Sequence, residues 1–370
     1  MAGVIVHEWL SKYGGSENVV DSMLETFPDA TLIGLWNDAP ERFPRAIESP
    51  LARTPLRGKK ALALPFMPRM WAQFDLGSPD FAILSSHLFA HHADWRNRAE
   101  TRRFVYAYTP ARYMWVPELD ERGRGLAARM VSSVLRPVDR RVASTQTAQF
   151  AAISGYVRDR IAATWGVESR VIYPPVSVAR VQSVVDWKAM TGGDESRTLA
   201  SLPDEFLLGA SRFVQYKRLD RVIQAGRLSG LPVVLAGRGP DRARLQEIAE
   251  ASGVRLIIVD SPSDEMLYAL YQMATAYVFL PVEDFGIMPI EAMALGTPVV
   301  VANSGGGAET AALVSGGVSV DPASDDELSR AIETASTLDM TTVRHAVYST
   351  FDESRFRLEL RRWVNGTERQ

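Results

Sequence analysis

The sequence contains no cysteine, so disulfide bonds and thiolate metal sites are both excluded. It also has no run of about eighteen apolar residues, the length that a membrane-spanning helix needs. The first ten residues, MAGVIVHEWL, lack the basic start and the long apolar stretch of a signal peptide, which favours a cytoplasmic protein. Neither sign of charge dominates, because the formal net charge is only −3, and this argues against a nucleic-acid-binding protein.

The 370 residues are 46% hydrophobic and 23% charged, as in folded globular domains, and the length allows two domains. Short apolar runs recur along the chain, each followed by a turn signal and a segment with helical periodicity. This alternation predicts parallel α/β sheets with strands that are buried on both faces. The predicted strands are Gly3–Val6, Ala30–Leu35, Phe81–Leu84, Phe104–Tyr108, Gln149–Ile153, Phe206–Gly209, Val233–Ala236, Leu256–Val259, Ala276–Leu280, Pro298–Val301 and Gly317–Val320.

Two prolines, Pro174 and Pro175, stiffen the middle of the chain and stop any helix there. We therefore expect an N-terminal domain over residues 1–172 and a C-terminal domain over residues 173–351. Each should be a doubly wound, Rossmann-like sheet, and the two should face each other across a cleft. Ligands of such sheets bind at the carboxyl ends of the strands.

Two segments lie outside this alternation. The polar, glycine-bearing stretch 178–202 predicts a loop without regular structure. The stretch 352–370 predicts a helix, because its apolar residues follow helical spacing. We expect this helix to pack back near the N-terminal domain. These residues are Phe356, Leu360 and Val364.

Gly14 and Gly15 lie between the first predicted strand and the helix after it. Glycines here let backbone amides approach a ligand closely, and the start of a helix favours an anion. The pattern matches neither GxGxxG nor a P-loop, so an ordinary tight turn is the simpler interpretation.

Arg212 and Lys217 follow the first strand of the C-terminal domain. Two cations five residues apart on one loop can converge on a diphosphate, where the guanidinium grips two oxygens and the ammonium acts as a point charge. Solvated surface charge is the alternative interpretation.

Glu283 and Glu291 flank a predicted helix that follows Phe285 and Gly286. Glu283 is expected on the loop before the helix and Glu291 one turn into it. Carboxylates placed in this way can accept hydrogen bonds from paired sugar hydroxyls. A metal site is a poor interpretation, because no histidine or further carboxylate clusters beside them in the sequence. A capping glutamate beside an exposed one is the structural alternative.

Together these segments resemble the retaining, family-4 glycosyltransferases of GT-B architecture. The resemblance covers nearly the whole chain and is strongest to bacterial members that build polysaccharides or modify lipid-linked sugars. The glycine-rich stretch Ser304–Thr310 fits the loop that follows the two glutamates in this family. The segments that carry it are Gly14–Glu17, Arg212, Lys217 and the run from Glu283 through Glu291 into EAMALGTPVV.

The resemblance implies a nucleotide diphosphate sugar as donor, linked to GDP or UDP, with no cofactor and no metal. Arg212 and Lys217 would neutralise the diphosphate and stabilise the leaving group. Glu291 would bind the ribose, and Glu283 the transferred sugar. The remaining donor contacts implied by the family are Gly14, Gly15, Val259, Phe285 and Gly286.

Tyr108 departs from the family pattern. Similar sequences have a histidine before the Thr-Pro pair, which is held to be important for catalysis. A phenol is a much poorer proton acceptor than imidazole at neutral pH, which puts this catalytic role in doubt. In a front-face displacement the leaving phosphate can accept the proton itself, so Tyr108 would only orient the sugar. Among the histidines, His87 is the first candidate to replace the missing one, followed by His7; a structural role is the alternative for both.

The basic residues of the first domain include Arg57, Lys59 and Lys60, directly before the aromatic and methionine-rich stretch Pro65–Phe74. An ordinary core-covering segment is one interpretation. The other is a surface that contacts anionic lipid headgroups while a lipid-tailed acceptor docks.

The sequence therefore predicts a cytoplasmic hexosyltransferase, with the inner face of the plasma membrane as an alternative place of action. Its acceptor would be a glycan or a lipid-linked saccharide, and nucleic acid is not an expected partner. Two alternatives stay open. One is an impaired, nucleotide-sugar-binding accessory protein, and the other is a GT-B-like sugar-nucleotide epimerase or phosphorylase.

Overall fold

The computed structural model describes residues 2–71, 77–95, 98–117 and 125–366. The chain divides into two compact units, one formed by residues up to Pro175 with the segment from Glu353 onward, and the other by Val176–Asp352. None of the helices in these described ranges has the length and apolar character needed to cross a bilayer.

The N-terminal unit contains a parallel sheet of seven strands. Its strands are β1 (Gly3–His7), β2 (Thr31–Gly34), β3 (Ile47–Glu48), β4 (Phe81–Ser86), β5 (Arg102–Ala107), β6 (Gln149–Ala152) and β7 (Arg170–Val171). Their order across the sheet is β3-β2-β1-β4-β5-β6-β7. The central strands β1 and β4 are buried along their whole length, which explains their apolar sequences without polar alternation.

Helices connect the strands of this unit. They are α1 (Gly15–Thr26), α2 (Lys60–Ala63), α3 (Met67–Trp71), α4 (Arg112–Trp115), α5 (Leu126–Thr145) and α6 (Gly155–Trp165). The α6 helix begins where Ser154 accepts a hydrogen bond from the Val157 N–H and ends at Gly166, whose φ of 70° is left-handed. Residues 72–74 of the aromatic stretch lie outside the described residues.

The C-terminal unit contains a parallel sheet of six strands in the order β10-β9-β8-β11-β12-β13. The strands are β8 (Leu207–Ala210), β9 (Val233–Ala236), β10 (Leu256–Val259), β11 (Ala276–Phe279), β12 (Val299–Ala302) and β13 (Gly317–Val320). The helices are α7 (Val178–Ser183), α8 (Gly193–Ala200), α9 (Leu219–Ser229), α10 (Arg242–Ser252), α11 (Asp264–Met273), α12 (Ile287–Ala294), α13 (Gly306–Val314), α14 (Asp325–Ala335) and α15 (Met340–Phe351).

The prediction of an irregular loop over 178–202 is wrong, because this segment contains α7 and α8. Its few apolar side chains are buried rather than exposed: Val178, Val181, Trp187 and Leu199. The Asp352 carboxylate accepts a hydrogen bond from the Ala179 N–H at 3.0 Å and so satisfies the start of α7. The apolar residues are too sparse for a periodic pattern, yet each fills a core position.

The last helix, α16 (Glu353–Asn365), belongs to the N-terminal unit and packs against α1. Phe356 packs edge-on against Tyr106 of β5, with ring centroids 5.8 Å apart. Arg357 forms an ion pair with Glu25 of α1. The unit boundaries thus fall at Pro175 and Glu353, compared with the expected 172 and 352.

Candidate functional site

Each sheet has one place where the strand order reverses. In the N-terminal unit it lies between β1 and β4, and in the C-terminal unit between β8 and β11. The loops leaving two such strands diverge to opposite sides of the sheet and open a crevice at the carboxyl edge, where ligands of doubly wound sheets bind. The residues that follow these four strands are therefore the candidates for chemistry.

In the C-terminal unit, the loop after β8 carries Lys217 and the loop after β11 carries Glu283. The Lys217 ammonium forms an ion pair with the Glu283 carboxylate. The side chains are 11% and 28% exposed, so the pair is partly desolvated but still open to a ligand. The structure thus brings together two residues that lie 66 positions apart in sequence.

Arg212 lies on the same loop as Lys217, and its side chain is exposed. One of its terminal nitrogens donates a hydrogen bond to the Tyr216 hydroxyl at 2.6 Å. The loop tightens through hydrogen bonds from the Val214 N–H to the Arg212 carbonyl and from the Lys217 N–H to the Val214 carbonyl. The two cations are therefore held by one short turn at the end of β8.

The loop that carries Glu283 is locked backbone to backbone against the glycine-rich loop before α13. The Gly306 N–H donates to the Glu283 carbonyl at 2.7 Å. A Cβ on Gly306 would lie 2.3 Å from the Phe285 Cα, which no real side chain tolerates. Gly286 has φ of 125°, a conformation that glycine alone adopts readily, and it starts α12. The glycines thus allow the two loops to interlock and fix Glu283 in place.

Glu291 is the fifth residue of α12 and points toward α11. Burial raises its pKa to about 8, the nearby Asp264 carboxylate adds to the rise, and a hydrogen bond with Tyr268 opposes it. The acid is therefore mostly protonated at neutral pH. A neutral carboxyl can both donate and accept a hydrogen bond, as pairing with a diol requires.

Two other predicted donor contacts are buried. Val259 ends β10, and its carbonyl accepts the Gly237 N–H at 2.9 Å. The Phe285 ring packs against Phe351, with centroids 5.9 Å apart, so only its backbone can face a ligand.

Sequence reasoning missed the glycines of the loop after β9. A Cβ on Gly237 would lie 2.0 Å from the Ser211 carbonyl oxygen, and one on Gly239 would lie 2.3 Å from the Phe213 carbonyl oxygen. These glycines let the loop with Arg212 lie directly against its neighbour. The signal in the sequence was the Gly-x-Gly pattern at the end of an apolar run.

In the N-terminal unit, the place where the strand order reverses, which we call its switch point, carries a group of three residues. We call this group the open cluster: His7, Glu8 and His87. Glu8 is fully buried and accepts hydrogen bonds from the Leu88 and Ala90 N–H groups, both at 2.8 Å. His87 Nδ1 lies 3.1 Å from a Glu8 oxygen, and the His87 side chain is 24% exposed. Burial alone would raise the pKa of Glu8, but the two imidazoles and these amides lower it.

Tyr108 lies beside the open cluster, with its ring centroid 6.2 Å from that of His87. Its hydroxyl donates to the Ser16 carbonyl at 3.2 Å and lies 3.0 Å from the Ser85 hydroxyl. Burial raises its pKa further above the ordinary value. Tyr108 thus ties the end of β5 to the glycine-rich loop, and it is unsuited to act as a base.

His7 is buried and lies 3.0 Å from the same Ser85 hydroxyl through its Nδ1. Burial, reinforced by the neighbouring His87, lowers the pKa of His7 to about 4. His7 is therefore neutral at physiological pH and less accessible than His87.

Gly14 makes room for a carboxylate of the protein itself. A Cβ at this position would lie 2.0 Å from Glu17 Oε2. Glu17 is buried and accepts hydrogen bonds from the Ser11 N–H at 3.0 Å and from the Ser16 hydroxyl at 2.8 Å. The α1 helix starts at Gly15 immediately beside it. The acid already occupies part of the space over the start of α1 where the sequence predicted an anion.

A second group, the sealed cluster, consists of His91, His92 and Asp139. The Asp139 carboxylate accepts hydrogen bonds from the Trp115 and Trp165 indoles at 2.8 and 2.7 Å and lies 2.9 Å from His92 Nε2. Burial alone would raise the pKa of Asp139, but the two imidazoles hold it well below its usual range. The cluster joins α4, α5 and α6 through one buried charge.

Both clusters have the composition of a metal site. Within each, the candidate ligand atoms lie within 4.8 Å of one another. In each cluster, however, the carboxylate oxygens already accept hydrogen bonds from protein N–H groups, which would compete with a cation for them.

Residues 194–348 match the family described as "Glycosyl transferases group 1". The chain is 29% identical over 215 residues to the GDP-mannose-dependent alpha-(1-6)-phosphatidylinositol monomannoside mannosyltransferase of Mycobacterium tuberculosis. The aligned region covers 54% of this chain and 55% of that protein. It is 30% identical over 130 residues to the O-antigen chain mannosyltransferase C of Escherichia coli, covering 34% and 32% of the two chains. The chain thus spans about half, or less, of the curated relatives it matches.

Solved structures of similar fold cover the whole chain. Anabaena Alr3699/HepE in complex with UDP superposes with a TM-score of 0.71 at 16% identity, over 99% of this chain and 100% of that one. The apo form of the lipopolysaccharide outer core galactosyltransferase WaaB gives a TM-score of 0.67 at 17% identity, with full coverage of both chains. At these identities the likeness establishes the fold.

Proposed function

We propose that this chain, whose residues 194–348 match the group 1 glycosyl transferases, is a GT-B glycosyltransferase that transfers a hexose from a nucleoside diphosphate sugar to a hydroxyl group. The observation that carries the proposal is the contact of Lys217 with Glu283 where the strand order of the C-terminal sheet reverses. A cation for phosphate and an acid for hydroxyls stand side by side there, which is the chemistry that a sugar diphosphate presents.

Transfer breaks the bond between the anomeric carbon and the β-phosphate oxygen and forms a bond from that carbon to the acceptor oxygen. The acceptor proton passes to the leaving phosphate in a front-face displacement that retains the anomeric configuration. Lys217 and Arg212 stabilise the negative charge that grows on the phosphate as the bond breaks. We propose that they do this without a metal or other cofactor.

The two glutamates bind the two sugars of the donor. Glu283 accepts hydrogen bonds from hydroxyls of the transferred hexose, and its ion pair with Lys217 places it beside the phosphates. Glu291 pairs with the ribose hydroxyls, because a protonated carboxyl can donate one hydrogen bond and accept another. The backbone amides at Phe285 and Gly286 complete the donor site, while Val259 lies at its base-binding end.

The N-terminal unit takes the acceptor. We propose that His87 contacts the acceptor hydroxyl, since it is the exposed imidazole at the switch point and Glu8 orients its ring. Tyr108 positions the loop that contains Gly14 and Gly15 rather than moving a proton. The acceptor is a glycan or a lipid-linked saccharide, and the protein works in the cytoplasm against an anionic membrane surface.

Donor binding and turnover separate these roles. Calorimetry with GDP, UDP, GDP-mannose and UDP-glucose should show binding of one nucleotide series. GDP-mannose is the first donor to test, because the mycobacterial relative is described as GDP-mannose-dependent.

Glu291→Ala should weaken donor binding by about 10-fold or more through the lost hydrogen bonds to ribose. Lys217→Ala should lower turnover by about 100-fold, with a smaller effect on donor affinity.

Two surface substitutions in the same unit serve as matched controls. Lys188→Ala and Glu250→Ala remove a lysine and a glutamate that are both exposed. They should leave binding and turnover unchanged. If Lys217→Ala and Glu291→Ala also behaved as the parent protein does, the assignment would be wrong. Donor binding by the parent protein without turnover on any acceptor would favour an accessory, nucleotide-sugar-binding role.

A further inference from the structure

The α5 helix exposes a row of apolar side chains. Leu126, Met130, Val134 and Val138 follow one another at intervals of four residues and therefore lie along one side of the helix. They are 80%, 72%, 68% and 44% exposed. Large apolar side chains clustered on a surface are informative, because isolated ones are common but a contiguous row marks an interaction surface.

The orientation of α5 is fixed by its other side. Ser132, Asp139 and Ala143 are buried there, and Asp139 is held by the two indoles of the sealed cluster. Rotating the helix to bury the apolar row would expose this charge network and break its hydrogen bonds. The exposed row is therefore a stable property of the unit.

The exposed charged residues of α5 itself have one sign. Arg129, Arg140 and Arg141 are exposed on α5, and the only acidic residue in the helix sequence is the buried Asp139. We call the four apolar residues and these three arginines the α5 face. A helix that combines an apolar row with arginines matches the boundary between acyl chains and anionic headgroups.

The α5 face continues toward a second apolar segment. A cavity of about 590 Å³ is lined by Leu135 and Val138 of α5, by Pro65 before α3 and Pro68 within it, and by charged side chains: Arg69, Asp94 and Arg103. Phe66, between these prolines, is 54% exposed. Two stretches of chain thus offer apolar groups around one shared cavity.

The basic residues singled out in the sequence are less free to contact lipid. Arg57 lies 2.8 Å from a Glu48 oxygen and 3.6 Å from an Asp38 oxygen. Lys60 lies over the Trp9 ring, 4.1 Å from its centroid. This moves the expected membrane contact from residues 57–60 to α5.

We propose that the α5 face docks the protein on an anionic lipid bilayer, with its apolar row inserted at the level of the headgroups and its arginines against lipid phosphates. The proposal rests on the proposed function only in that a lipid-linked acceptor requires such a surface. A nucleic acid would use the arginines but not the apolar row.

Vesicle flotation tests the proposal. The full chain should float with vesicles in which about one lipid in three is phosphatidylglycerol. It should remain at the bottom of the gradient with vesicles of pure phosphatidylcholine. Met130→Ser/Val134→Ser and Arg140→Glu/Arg141→Glu should each lower the bound fraction by about 10-fold. The control Leu358→Ser replaces an exposed leucine of α16 in the same unit and should float like the parent protein.

Donor binding, measured by calorimetry without vesicles, should be unchanged in all of these variants. It shows that they are folded and tests the donor site separately from the membrane surface. Flotation of both α5 variants at the parental level would overturn the proposal, whatever the donor experiments show. Equal binding to neutral and anionic vesicles would also overturn it, because the arginines would then have no role.

Discussion

The open and sealed clusters are built from the same residue types, two histidines and one acid, within one unit of the protein. In the open cluster, His87 remains 24% exposed. In the sealed cluster, His91 and His92 are 0% and 3% exposed, and two indoles cover the acid from the other side. Composition is thus the same in both places, while access to solvent differs.

The difference arises from what each acid holds together. Glu8 takes its shortest hydrogen bonds from the backbone of one loop and a longer one, at 3.3 Å, from the Ser86 hydroxyl just before that loop, so it shapes the segment that presents His87. Asp139 takes its hydrogen bonds from side chains on separate helices, so it fixes the packing of the unit. An acid that binds one loop can serve chemistry at its edge, whereas an acid that binds several elements serves stability.

The largest expected effect is on stability, at Asp139. Replacing it by alanine leaves two indoles and two imidazoles without their buried acceptor, so Asp139→Ala should lower the free energy of unfolding by about 3–5 kcal/mol. Urea denaturation followed by circular dichroism measures this. Asp159→Ala, on the exposed part of α6, is the matched control and should change it by less than about 0.5 kcal/mol. A loss of under 1 kcal/mol for Asp139→Ala would show that the two clusters do not differ in this way.

The next effect separates activity from stability. His87→Ala should reduce turnover by about 100-fold, as loss of a group that handles or orients a proton does, while Tm changes by less than about 2 °C. His92→Ala should show the opposite pattern, with a lower Tm and normal turnover per folded molecule. The paired measurements are initial rates and thermal melts of both variants. A similar fall in Tm for the two would remove the distinction between an open and a sealed cluster.

The sequence allowed prediction of the fold because buried parallel strands leave strong local signals. Every described strand of four or more residues coincides with a predicted apolar run, and the predicted pair of doubly wound parallel sheets is confirmed. The two-residue strands β3 and β7 were missed, since so short a segment carries no pattern. The helices α7 and α8 were missed because isolated buried residues, such as Leu199 of α8, replace a periodic face.

For the candidate site, motif spacing was sufficient to select Lys217 and Glu283 but not to show their contact. Whether a side chain is sealed or open depends on residues distant in sequence: Asp139 lies 47 positions from His92, and Glu8 lies 79 positions from His87. The sequence also gave no sign that Tyr108 is tied to Ser16. The assigned roles of the site residues, the retaining outcome and independence from metal stay predictions.

A third acid extends the comparison, because Glu291 is partly buried and has no cation among the groups that shift its pKa. Its pKa is about 8 in the folded protein, against 4.5 as the ordinary value, so the folded state holds the proton more tightly. The contribution of protonated Glu291 to the free energy of unfolding is complete below pH 4.5 and is lost as pH rises through 8.

Glu291→Gln cannot ionise, so the Tm of the parent protein relative to this variant should fall by roughly 3 °C or more between pH 5 and pH 9. Thermal melts of both proteins across this range measure the difference, with Glu250→Gln as the exposed control that should follow the parent. A constant difference would mean that Glu291 ionises like a solvated acid, and its pairing with ribose through a donated hydrogen bond would then fail.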